Sequence, residues 1–156
     1  MDEPPSNIFL FISLDPGALY IILAAVLIFL TSLASAAEAA FFSLQADDLD
    51  RLRNSTDKAE KNVAELQTNP RLLLTTLTAL KYSMISGSAV IFIFFLFSNK
   101  NPYSTTSILL GTAVLTISFT FFGVIIPKIY GRANNVSIAR RTATACRRLI
   151  YFYKPL

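Results

Sequence analysis

The 156-residue chain has no His, no Trp and a single Cys, Cys146, which excludes a His-based zinc site, a disulfide framework and a Ser-His-Asp triad. Hydrophobic residues make up 53% and charged residues 15%, with 13 Phe and a mean hydropathy of +0.52, and the apolar residues fall in long blocks. That composition predicts an all-α membrane protein of one domain, and the net charge of +4 is then a topology signal rather than a footprint for nucleic acid.

Residues 1–16 are acidic, with Asp2, Glu3 and Asp15, and hold no Lys or Arg. A secretory signal needs a positive start, so this segment is expected to be an uncleaved extracytoplasmic arm. Residues 17–42 form the first predicted span. Ala18–Leu30 is continuously apolar, and a stretch of small residues from Thr31 to Ala40 follows, suited to close helix contacts in lipid. Glu38 sits about one turn from the end of this span. It reads as an interfacial carboxylate, as an ion or proton site, or as the partner of Lys81. Residues 44–70 form a charged loop in which Ala59, Val63 and Leu66 share one face of a short surface helix.

The second predicted span, residues 71–97, carries Lys81 ten helical steps from Arg71. That is about 15 Å of depth, half of a ~30 Å hydrocarbon core. An ionisable group so deep needs a partner or water, which makes Lys81 a candidate functional residue. Ser86-Gly87-Ser88 in the same span is a small patch suited to close packing or a kink. The short turn at 98–102 makes the second and third spans an antiparallel hairpin.

The third predicted span starts at Tyr103 or Ser104 and ends in Phe122-Gly123-Val124-Ile125-Ile126-Pro127-Lys128. Pro127 removes the backbone donor for the Gly123 carbonyl, so this is either a helix end or a broken helix lining a cation site. Residues 128–156 hold seven Lys or Arg and no acid. Helical spacing over 136–153, with Ile138, Ala145, Leu149 and Phe152 as one apolar stripe, predicts a basic amphipathic juxtamembrane helix on an anionic leaflet; a collar around a dimer is the alternative. Lys and Arg are absent from the first segment and concentrated in the first loop and the last segment. The positive-inside rule therefore places the N-terminus outside and the C-terminus in the cytoplasm.

Ser35-Ala-Ala-Glu38-Ala-Ala in the first span, the Phe122–Lys128 stretch ending the third, and the basic helix beyond it resemble the membrane domain of the CorC/CNNM (cyclin M) family. The resemblance runs over nearly the whole chain. Bacterial relatives associated with gliding motility are similar in the opening Met-Asp-Glu-Pro-Pro and in Ala37-Glu38-Ala-Ala-Phe-Phe-Ser-Leu44. The resemblance implies a homodimer in a bacterial inner membrane, cytosolic CBS domains following the chain's end at Leu156, and magnesium transport commonly coupled to sodium. It also implies a cation site built from Ser35 and the Gly123 carbonyl. Two positions depart from the family pattern. Val124 stands where a glutamate is expected, and Leu80-Lys81 stands in the region of an expected asparagine.

A hard divalent cation needs several oxygen ligands, normally with carboxylate among them. Glu38 and Lys81 are the ionisable groups expected inside the spans, and their charges cancel. Lys81 is therefore expected to replace the metal, its ammonium donating to the Gly123 carbonyl, Ser35 and Glu38; the alternative is a side chain that snorkels to a watery vestibule. Two functions follow. One is a divalent-cation transporter with a degenerate site. The other is a non-transporting scaffold or signalling module, for example in gliding motility. No nucleophile–base pair or phosphate loop points to an enzyme.

Overall fold

The computed structural model describes residues 16–98 and 103–153. The acidic arm before Pro16, the hairpin tip with Lys100, and Lys154 lie outside the described residues. Helix α1 is Pro16–Phe42, α2 Ala46–Arg53, α3 Lys58–Leu66, α4 Pro70–Ser98 and α5 Thr105–Ser118. A π-helical segment, Phe119–Ile125, joins α5 to α6, Ile126–Ala133, and α7 is Asn135–Tyr153. Three stretches are long and apolar enough to cross a membrane: Gly17–Phe42, Pro70–Leu96 and Thr105–Ala133. At 1.5 Å per residue each reaches about 40 Å, which exceeds a ~30 Å hydrocarbon core. The chain is an all-α integral membrane protein.

The third span does not end at Pro127, as one reading of the sequence had it. It continues to Ala133, because the helix widens before the proline instead of breaking at it. The Ile126 N–H reaches back five residues to the Phe121 carbonyl. Pro127 then supplies no N–H, which leaves the widened turn one donor short.

Helix α1 is the hub. Helices α4, α6 and α7 and the π-helical segment all pack on it. Its small residues set the distances: a Cβ on Gly131 would lie 2.4 Å from the Ala36 carbonyl oxygen, so α6 touches the backbone of α1 there. The face Ser35, Ala36 and Ala39, equally available to a second subunit by sequence, is used within the chain.

The core lies at the charged end of the bundle. Phe41 of α1, Leu52 of α2, Val63 and Leu66 of α3, and Leu73 and Leu77 of α4 meet the small face of α7, Ala139, Ala143 and Cys146. Each large apolar side chain removed from water here contributes about 1.5–3 kcal/mol. Helix α3 thus packs against α2 and α7, with Val63 and Leu66 buried. The apolar stripe expected on α7 is displaced: Ile138 and Leu149 are half-buried, Ala145 is exposed, and the tight contact goes to the small residues, which let α7 approach α1 closely. Burial pushes the Cys146 thiol up to about 11. The end of α1 is closed by two amide side chains: Gln67 donates to the Phe41 carbonyl, and Asn135 Nδ2 to that of Ser43 at 3.0 Å.

The half away from the charged end is looser. Helix α5 contains no buried residue, and an open groove of about 520 Å³ separates it from α4. The hairpin expected of these two spans is held near its tip by the rings of Phe95 and Tyr103, 5.9 Å apart. Deeper in, the Phe92 ring lies 3.1 Å from where a Cβ on Gly111 would sit. Of the small patch in α4, Ser88 is buried, whereas Gly87 would carry a Cβ into open space.

Candidate cation-site region

Thr31, Ser35 and Glu38 recur at four and three residues along α1, so they share one face near its charged end. Three elements meet this face: α4, the π-helical segment and α6. The Thr31 hydroxyl donates to the Leu27 carbonyl at 2.8 Å, and its methyl lies 3.3 Å from where a Cβ on the buried Gly123 would sit. Gly123 thus brings the widened turn against α1.

Glu38 is the centre of the ionised cluster. Its Oε2 pairs with Lys81 Nζ of α4, and its Oε1 lies 3.4 Å from Lys128 Nζ of α6. The Lys81 and Glu38 side chains are 12% and 14% exposed, and Lys128 is 33% exposed. The carboxylate is bracketed by two ammonium groups, and the cluster carries one net positive charge. Lys128 was missing from the sequence-based inventory of charges inside the spans. It belongs there because the third span runs on past Pro127, which makes Lys128 the third residue of α6.

The remaining positions separate. Ser35 is fully buried and its hydroxyl has no hydrogen-bond partner, so Lys81 does not donate to it. The Gly123 carbonyl is likewise not among the Lys81 partners, which leaves Glu38 as the oxygen that takes the ammonium. The preference has a simple cause: a carboxylate offers full charge, and a hydroxyl or carbonyl offers a dipole. Val124 lies next to Gly123 but lines the groove between α4 and α5 together with Ser88 and Phe119. Pro127 is buried where α6 begins. No cluster of three or more His, Cys, Asp or Glu occurs among the described residues.

Three apolar spans, a widened turn in the third, and a half-buried carboxylate clamped between two lysines define a helical membrane protein with an ionised centre. The chain belongs to the cyclin M (CNNM) family: the model of the cyclin M transmembrane N-terminal domain matches residues 22–156. A search among curated proteins finds no match.

Proposed function

We propose that this chain is the membrane domain of a magnesium-transport-type protein in which the Lys81 ammonium takes the electrostatic place of the cation. The carrying observation is the occupation of Glu38 by Lys81 and Lys128. A magnesium ion entering beside them would add two charges to a centre already at +1. Two like unit charges 4 Å apart repel by about 4 kcal/mol at an effective dielectric of 20, and the divalent ion doubles this. With Val124 in place of a carboxylate, the region offers the ion one acid that is already engaged. On this reading the domain acts as a locked member of the family, serving assembly or signalling as a homodimer with its N-terminus outside the inner membrane.

The second reading, magnesium or sodium-coupled transport through a variant site, has one observation in its favour. The unpartnered Ser35 hydroxyl costs about 1–3 kcal/mol of desolvation unless a ligand or water completes it. Thermal unfolding in detergent with rising magnesium separates the two. The locked reading expects no shift for the wild type and a saturable rise for Lys81→Asn combined with Val124→Glu. A saturable rise in the wild type, with sodium competing, would instead mean that a cation site survives with other ligands, as the transport reading requires.

A further inference from the structure

The four arginines of α7 divide between two faces. Arg140 and Arg147, seven residues apart, turn toward α3. Arg140 pairs with Asp57 and lies 3.4 Å from Glu60; Arg147 donates to Asn62 at 2.7 Å and lies 3.5 Å from Glu65. Arg141 and Arg148, also seven apart, lie on a different face. Both are exposed, and neither has an acidic partner among the described residues. Arg148 stands at the edge of a groove of about 470 Å³ whose walls are Leu30 and Leu33 of α1, Leu80 and Met84 of α4, and Ala145 of α7.

The position of this groove in the spans restricts what can fill it. Leu33 is nine residues inside the end of α1, and Met84 is fourteen residues inside the start of α4. These are depths of about 14 and 21 Å, so the groove runs from the basic end to mid-bilayer, the reach of one leaflet. Its walls are mainly hydrocarbon, with the Met84 thioether and the Thr142 and Cys146 side chains among them, and its lining includes a guanidinium with no acidic partner among the described residues. Guanidinium binds phosphate oxygens in a bidentate fork. A second copy is a poor occupant, because an isologous contact would set two unpaired Arg141–Arg148 faces against each other.

We propose that this groove holds one anionic phospholipid of the leaflet bathing the basic end, an acyl chain lying between α1 and α4 and the phosphate on Arg148, with Arg141 beside it. The site is separate from the Lys81 cluster and does not depend on whether a cation is carried. Native mass spectrometry of the whole chain, with phosphatidylglycerol and phosphatidylcholine of identical chains, tests it. The wild type is expected to retain phosphatidylglycerol about tenfold more tightly, because in phosphatidylcholine the same phosphate is already neutralised by its own choline and gains less from the guanidinium. Arg148→Gln, an exposed substitution that leaves the core untouched, lowers retention to the phosphatidylcholine level. Ala145→Trp, which fills the groove from α7, abolishes retention while helical content by circular dichroism stays unchanged. Equal retention of the two lipids overturns the proposal, as does a full affinity in Arg148→Gln. Undiminished binding to Ala145→Trp also overturns it, because the charge would then act at the surface without the groove. So does release of a paired copy when the groove is filled.

Discussion

Leu73 and Leu109 are the same residue type on successive spans, yet Leu73 is fully buried and Leu109 is 66% exposed. Leu73 belongs to the charged end, where α2, α3 and α7 close over α1 and α4. Leu109 belongs to α5, which contains no buried residue. The difference teaches which solvent organises each region. Near water, burying a leucine removes apolar surface from a poor solvent. In the bilayer, lipid tails are as apolar as leucine, and helices are drawn together by close packing and polar contacts instead. The charged end therefore has a core like that of a soluble domain, and the opposite half has aromatic clips and an open groove.

The largest expected effect pits the two regions against each other directly. Phe41→Ala should lower stability by about 3–5 kcal/mol, whereas Leu109→Ala should change it by less than about 0.5 kcal/mol. Equal losses in detergent unfolding would erase the distinction. At the boundary, Glu38→Gln leaves two ammonium groups around a neutral amide and should cost about 3 kcal/mol, with Lys128 relieved by its contact with water. An unchanged melting temperature would mean that the cluster is solvated and holds nothing together.

Close packing gives the next effect. Gly131→Ala drives a methyl into the Ala36 carbonyl and should cost about 1–3 kcal/mol, while Gly87→Ala meets open space and should gain about 0.5–1 kcal/mol through helix propensity. Opposite signs in one denaturation series would sharpen the contrast between a packed and an unpacked helix face. The smallest effect is chemical. With the Cys146 thiol pushed up to about 11 by burial, little thiolate exists at pH 8, and maleimide should label the folded chain far more slowly than the unfolded one. Rapid labelling of folded protein would show that the base opens readily.

Much of this was legible from the residues. Blocks of hydropathy are local properties, so three spans, the basic last helix and the depth of Lys81 could be read directly. The motifs from Ser35 to Glu38 and from Gly123 to Lys128 pointed to the family to which the chain belongs. Other features were hidden. Proline at 127 signals a disturbed helix, but a widened turn and a broken one have the same local signature. Small residues from Thr31 to Ala40 announce close contacts without naming the partner, which proved to be Gly131 on Ala36. The amide caps on α1 from Gln67 and Asn135 carry no sequence signal, since each is a lone polar residue far along the chain.

The sequence by itself determined that the chain crosses a membrane three times, which end is basic, and that a lysine and a glutamate lie within the spans. It could do so because transfer between water and hydrocarbon depends on each stretch alone. The tertiary structure decided how each helix is rotated about its axis. That rotation gives Glu38 to Lys81 and Lys128, leaves Ser35 without a partner, turns Val124 into the groove beside α4, and exposes Arg148 at the mouth of another. The physical reason is that lipid does not distinguish one apolar face of a span from another, so the rotation is settled by the few places where backbones touch and charges meet.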